Sequence, residues 1–485
     1  MRTHRLLSLA PAVLCAIAVQ LVSAPATSAH GAWLPPQTLG PVDYFGADNQ
    51  DGADSQHILA GNARGDDAVV WESPRGLLLA RASPGRPFGP AQLLTREREA
   101  EASVAIDDRG DVLVVWQYSD NSVVVPDVGV DGTEAICCER IKVAMLRAGP
   151  SRASSVSLTP GSLSARVESI AISGDGSLAS VVYRSTPRSL IKRARLAYPP
   201  GSELVVRLAA FDKGFGPAVD LGRKGILLSL RATAHQVIAL HTDPDGDADT
   251  VHEAIIDAAT ARLRSREVGD AGALRFFSSI GGFDRDGDLA LLVEENLNLG
   301  FSHDLITQPV GKQLRVLPIA VERGHESEHG LILEPSSIFD EPALSVSPGG
   351  SFLGAWTVYS SGGDSLRVAT GRLPSARLSS PTTVPLLSPT SPYGSPQVAT
   401  DSSGQAVVMV VRKEVGTNGV DAQVVGLFRT SSGRFTAPTV LDEVGNENSL
   451  GDAVVTINEH GEGTALWEAD PNYKSELVAR RFRVP

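Results

Sequence analysis

The stretch Ala105-Ile106-Asp107-Asp108-Arg109-Gly110-Asp111-Val112-Leu113-Val114-Val115-Trp116 decides how the chain folds. A short alternating run enters a polar turn that ends in Gly110. A β-branched run leaves it and reaches a bulky ring six positions past the glycine. Apolar runs bounded by Asp and Gly read as two strands joined by a tight turn, and the glycine supplies the positive φ that such a turn demands. The same spelling returns along the chain. Trp71 follows Gly65, Trp356 follows Gly350 and Trp467 follows Gly461, each at six residues. Weaker copies place Val182 after Gly176, Val293 after Gly287 and Val410 after Gly404. A degenerate copy has His235 in place of the glycine and His241 in place of the ring.

The eight marks lie about 57 residues apart on average, and such a period with alternating strands reads as the blades of a propeller. Each unit is expected to hold four strands. The first two flank the marked turn, and the third resembles Ile141-Lys142-Val143-Ala144-Met145-Leu146, Leu366-Arg367-Val368-Ala369 or Leu477-Val478-Ala479-Arg480. The fourth follows a glycine and carries an aromatic, a proline and a leucine, as in Gly433, Phe435, Pro438 and Leu441, or Gly214, Phe215, Pro217 and Leu221. Proline suits an edge strand, whose outer N–H groups need no partner. After the last mark the sequence supplies only three strands and stops at Phe482-Arg483-Val484-Pro485. The missing fourth is spelled at the other end, where Trp33, Pro36 and Leu39 are spaced like Phe435, Pro438 and Leu441. The expected fold is therefore all-β, a β-propeller of eight four-stranded blades whose N-terminal strand completes the last blade and hides two sheet edges. Seven blades remain if the His235 copy forms none.

On these marks the chain resembles the secreted β-propeller repeat proteins of bacteria, over nearly all of residues 30–485. The resemblance implies an architecture and no particular activity. The recurring Gly-His and Trp-Asp signatures of WD40 blades are absent, and the glycine-to-ring gap is longer than in sialidase Asp boxes or in the tryptophan-docking pattern of quinone-dependent alcohol dehydrogenases.

Export is the second expectation. Arg2 and Arg5 precede an almost unbroken apolar run over residues 6–22, and Ala26-Thr27-Ser28-Ala29 offers small residues for cleavage, so residues 1–29 read as a signal peptide and residues 30–485 as one secreted domain. No later segment is long and apolar enough for a membrane span. Cleavage removes two arginines and no acid, which takes the charge of the 485-residue chain from −13 to −15. That field disfavours nucleic acids and anionic membranes. Only three cysteines are present, too few for a disulfide scaffold. After cleavage the adjacent Cys137 and Cys138 are left, a pair that an oxidising compartment can close into a vicinal disulfide.

Function is expected in the connections between second and third strands. That of the first unit is short, residues 72–76, whereas the second and third units carry insertions over residues 119–140 and 184–203. Long loops on a rigid frame are where binding concentrates. Arg184, Arg188, Lys192, Arg193 and Arg195 make the second insertion a basic island that suits an anionic wall polymer, another carbohydrate or an acidic extracellular protein.

Asp243, Asp245, Asp247 and Asp249 alternate around Gly246 and could face one calcium ion, without the spacing of an EF-hand. Asp284, Asp286 and Asp288 surround Gly287, where turn chemistry explains them. His325-Glu326-Ser327-Glu328-His329 spells H-E-x-x-H, which in zinc peptidases places two imidazoles on one helical face with the glutamate as base. Gly324 and Gly330 bracket it, and a polar loop between the fifth and sixth blades is the expected setting. No G-x-S-x-G elbow, phosphate loop or CxxC set occurs. The favoured function is an exported, non-catalytic binding module. The alternative is a secreted hydrolase, acting on glycosides through paired carboxylates or on peptides through His325, Glu326 and His329.

Overall fold

The computed structural model describes residues 32–42, 58–97, 101–125, 135–149, 153–190, 202–211, 213–223, 227–243, 250–270, 276–296, 312–320, 325–326, 331–339, 342–359, 365–373, 375–384, 396–416, 419–444, 450–469 and 475–485. The described chain is all-β, built from antiparallel sheets that mostly hold four strands in chain order. This is the strand layout of a β-propeller.

The sheets are numbered here along the chain by their first strands. These are Leu59–Gly61, Glu101–Ile106, Leu163–Ile172, Leu227–Ala232, Phe276–Phe283, Ala343–Val346, Gln397–Thr400 and Leu450–Ile457. Sheets 5 and 6 are hydrogen-bonded into one, because the end of Leu331–Phe339 pairs with Val358 and Tyr359. Each first strand touches the first strand of the next sheet, and that of sheet 8 touches that of sheet 1. The fourth position of sheet 8 is filled from the opposite end of the chain. Ala32–Trp33 and Gln37–Pro41 both pair antiparallel with Glu476–Arg483, in the registers Trp33 to Phe482 and Gln37 to Ala479.

The second strands explain why the sequence reads there as continuous apolar runs. In Val112–Val125 alternate side chains enter different seams. Leu113 and Val115 pack with Ile170, Val181 and Tyr183 of sheet 3, while Val114 and Trp116 pack with Val70 and Leu79 of sheet 1. Both faces are thus interior, and the core is a series of layers between neighbouring sheets rather than one central mass. The marked tryptophans all take the same side. Trp71 packs with sheet 8, Trp116 with sheet 1, Trp356 with sheet 5 and Trp467 with sheet 7, in each case the preceding sheet.

The marked glycines adopt the positive φ expected of them, from +65° at Gly176 to +91° at Gly65 and Gly287. The residue three positions earlier builds the turn. Asp107 Oδ1 accepts from the N–H groups of Arg109 (2.9 Å) and Asp111 (2.7 Å), and Asn62, Asp284, Asp401 and Asn458 do the same in their own turns. At Gly65, Gly176, Gly350 and Gly461 a second constraint leaves no mark in the sequence, since the glycine is also crowded from the preceding sheet. A β-carbon on Gly176 would lie 1.8 Å from Asp107 Oδ2, and one on Gly65 would lie 2.4 Å from Asn458 Nδ2.

The degenerate copy does open a four-stranded sheet, Leu227–Ala232, Gln236–Asp243, Thr250–Asp257 and Leu263–Asp270. Its turn is closed between Thr233 N and Gln236 O (2.9 Å). It is shorter than the other turns and needs no left-handed residue, so His235 can stand where the others have glycine.

Three local expectations need correction. The insertion over residues 119–140 is largely strand, because the hairpin Val112–Val125 and Ala135–Leu146 keeps pairing out to Val125 and Ala135. β-Branched residues on both arms favour this extension. The second insertion begins later than residue 184, since Arg184 lies within the strand Ala179–Pro187 and a helical turn follows at residues 188–190. His325 and Glu326 do not sit in a connection between sheets. They form a two-residue strand on Ile319 and Ala320, between the third and fourth strands of sheet 5. Extended backbone at the motif's start does not form the helical face that places residues i and i+4 together.

Candidate functional site

In each sheet one end carries the turn between first and second strands, and the other carries the connection between second and third strands together with the exit of the fourth. The two ends differ in chemistry.

At the marked-turn end the polar groups are structural and mostly buried. Asp67, two past Gly65, is 2% exposed and sits against sheet 8, where its carboxylate accepts from Thr464 Oγ1 (2.7 Å) and Thr456 Oγ1 (3.2 Å) and lies 3.1 Å from Arg481 Nη2. Burial pushes its pKa up to about 6, against the opposing pull of Arg481 and of the two threonine hydroxyls. Arg481 is itself buried and donates to the carbonyls of Ser83 (2.8 Å), Arg86 (2.7 Å) and Gly65 (3.0 Å). Arg81 acts alike one seam on, donating to Arg147 O (2.9 Å) and Gly149 O (2.6 Å) of sheet 2. Burial also raises the carboxyls of Asp107, Asp284 and Asp401 above the ordinary range. Such groups fix turns, and their oxygens face backbone N–H groups or the neighbouring turn.

The opposite end holds the polar groups nearest to the long hairpins. Glu97 leaves the fourth strand of sheet 1, Gln92–Thr95, and reaches across to sheet 2. Its carboxylate accepts from Trp116 Nε1 (3.2 Å) and from Lys142 Nζ, and Lys142 stands 4.8 Å over the Tyr118 ring. Beside them Gln117 donates to Glu101 and accepts from Val167 N (2.8 Å). This cluster ties sheets 1, 2 and 3 together. A clasp of the same kind recurs where Trp467 Nε1 donates to Asp442 Oδ2 (2.7 Å) on the fourth strand of sheet 7. At Trp116 and Trp467 the ring marked in the sequence is therefore both a packing group and a donor, and its acceptor in the preceding sheet has no fixed spacing from it.

Of the expected site residues, Arg184 pairs with Glu168 at 3.0 Å, so its charge is used within sheet 3. Arg188 lies in the helical turn after that strand, and Lys192, Arg193 and Arg195 are outside the described residues. Asp243 ends the second strand of sheet 4 opposite Thr250, while Asp245, Asp247 and Asp249 are outside the described residues, as is His329. Cys137 and Cys138 lie on the third strand of sheet 2, with Cys137 opposite Val123. Among the described residues no group of three or more His, Cys, Asp or Glu could hold a metal ion, and no helix is long and apolar enough to cross a membrane.

No family model matches the chain, and no curated protein matches it. Solved structures with a similar strand layout include the β-propeller domain of the Trilobed protease from Pyrococcus furiosus, with 10% identity and a TM-score of 0.41 over 79% of this chain and 94% of that one. A PL25 ulvan lyase bound to a GlcA–Rha3S saccharide matches with 9% identity and a TM-score of 0.41 over 88% of this chain and 94% of that one. Prolyl oligopeptidase B from Galerina marginata matches with 10% identity and a TM-score of 0.44 over 86% of this chain and 56% of that one. The propeller reading rests on the sheets themselves.

Proposed function

We propose that residues 30–485 form an eight-bladed β-propeller, closed by the N-terminal strand and exported behind a signal peptide over residues 1–29. It acts as an extracellular binding module for a protein or cell-wall carbohydrate. The cycle of contacts between first strands, and the pairing of the two chain ends in sheet 8, support the ring. The binding reading is carried by one observation. The hairpin of sheet 2 runs in strands of 14 and 12 residues, whereas the corresponding strands of sheet 1 have 7 each. A paired ribbon standing beyond a rigid frame offers backbone edges and side chains to a partner without disturbing the seams. The polar groups described at its base are bonded in pairs, Lys142 to Glu97 and Gln117 to Glu101, which suits a scaffold better than an acid–base pair.

The test is a panel of cell-wall glycans presented to the purified chain and to a variant with residues 126–134 replaced by a Gly-Ser turn. Saturable binding without product release, lost in the variant, is the expected result. Release of shortened saccharides, or equal binding by both proteins, overturns the reading.

A further inference from the structure

The short turn between the second and third strands of sheet 1 brings two arginines to one groove. Ser73 Oγ accepts from Arg75 N (3.2 Å) and donates to Gly76 O (2.8 Å), which fixes the turn. Gly76 has φ +111° and packs hard against the end of the fourth strand. A β-carbon there would lie 2.2 Å from Thr95 O and 2.8 Å from Arg96 Cα. The glycine therefore holds the backbones of residues 75 and 96 together. Arg75 and Arg96, with Pro74 and Leu93, line a groove of about 400 Å³, within the size range of small-molecule sites.

Among the described residues that line this groove the charge is one-sided. Glu97, the acid next to Arg96, is already engaged by Lys142 and Trp116. Among the described residues neither Arg75 nor Arg96 has an ion-pair partner, and both are exposed. Two unneutralised guanidinium groups beside a fixed turn, in a chain of net charge −13, make a local site for an anion that the rest of the surface repels. The guanidinium fork matches an oxyanion through paired N–H donors. Pro74 and Leu93 add an apolar wall suited to the C–H face of a ring.

We infer that this groove binds an acidic sugar, with a carboxylate or sulfate held by Arg75 and Arg96 and the ring lying on Pro74 and Leu93. This names a ligand class for the binding reading above and rests on it, although the groove belongs to sheet 1 and not to the hairpins of sheets 2 and 3.

Calorimetry on the full chain tests it with a galacturonic acid trimer, the neutral galactose trimer and inorganic sulfate. The acidic trimer is expected to bind saturably and the neutral one at least tenfold more weakly. Arg75→Ala and Arg96→Ala each weaken the acidic trimer at least tenfold without moving the thermal midpoint, and Arg96→Lys recovers part of the loss. Equal binding of the two trimers, unchanged binding in both alanine variants, or no binding of the acidic trimer overturns the inference. Sulfate alone binding as tightly as the trimer, and losing affinity in the same variants, assigns the groove to a free oxyanion and overturns the sugar. If the variant with residues 126–134 replaced still binds the acidic trimer while Arg75→Ala does not, the groove stands and the hairpin reading falls; the reverse pattern separates them the other way.

Discussion

The seam between sheets 8 and 1 and the seam between sheets 1 and 2 use the same parts with one exchange. In both, an arginine from a third strand reaches the turn after the next sheet's third strand, Arg481 to Ser83 and Arg86 in the first case and Arg81 to Arg147 and Gly149 in the second. Two residues past the marked glycine, however, sheet 1 has Asp67 and sheet 2 has Val112, both buried. The carboxylate thus lies where sheet 1 meets the sheet assembled from the two ends of the chain. A buried ion pair adds little net stability, since desolvation offsets its attraction, but it makes any arrangement that withholds one partner costly. An apolar residue enforces no such choice.

The largest expected effect comes from separating the partners. Arg481→Met leaves the Asp67 charge buried without a counter-ion, and is expected to cost about 3–5 kcal/mol in urea unfolding. Arg81→Met at the other seam loses bonds to two carbonyls and the attraction of Asp111, which keeps Arg147 as its partner, and is expected to cost about 1 kcal/mol. Equal costs would mean that the buried carboxylate places no added demand on its arginine. Next comes pH. Asp67 has a folded pKa raised from 3.8 to about 6. Between those values the native state holds more protons than the unfolded chain, so stability falls as pH rises through that window. The size is about 3 kcal/mol, because each tenfold gain in proton affinity is worth about 1.4 kcal/mol. Asp67→Asn should remove this slope, measured as the unfolding midpoint from pH 4 to 7.

The marked glycines differ between the two seams as well. Gly65 and Gly110 have similar φ, +91° and +85°, but the nearest neighbour of an added β-carbon is 2.4 Å away at Gly65 and 3.6 Å away at Gly110. Gly110→Ala is expected to cost about 1–2 kcal/mol from backbone strain alone, and Gly65→Ala about 1 kcal/mol more from overpacking. Both are read from urea unfolding. The smallest difference concerns the marked rings. Trp467→Phe loses the bond to Asp442 and should cost about 1 kcal/mol beyond the change in ring size. Among the described residues the buried Trp71 Nε1 has no partner, so Trp71→Phe should lack that extra cost.

Most of the architecture was legible because it is written in local sterics. A tight turn needs Gly110 at positive φ, a doubly covered strand needs Val112-Leu113-Val114-Val115, and an outer strand tolerates Pro438, so each leaves a trace at fixed spacing. The spelling shared by Trp33, Pro36 and Leu39 located the strand that pairs with Glu476–Arg483 for the same reason. What sequence reading missed are contacts across seams. Nothing near Asp67 in the sequence distinguishes it from Asp66, and its partner Arg481 lies at the far end of the chain. Likewise Glu97 belongs with Trp116 and Lys142, at separations that no repeat fixes. The basic island was found by composition, yet one of its members, Arg184, is spent on Glu168. Arg75 and Arg96 escaped notice because they are far apart in order and joined only by the close approach at Gly76.

The one-way placement of the marked tryptophans has a thermodynamic consequence. Because each ring enters the layer of the sheet before it, a repeat removed from its neighbours would expose its own indole and uncover the apolar face that its successor shields. No repeat is therefore a self-sufficient folding unit, and the assembly should melt in one cooperative transition rather than peel apart sheet by sheet.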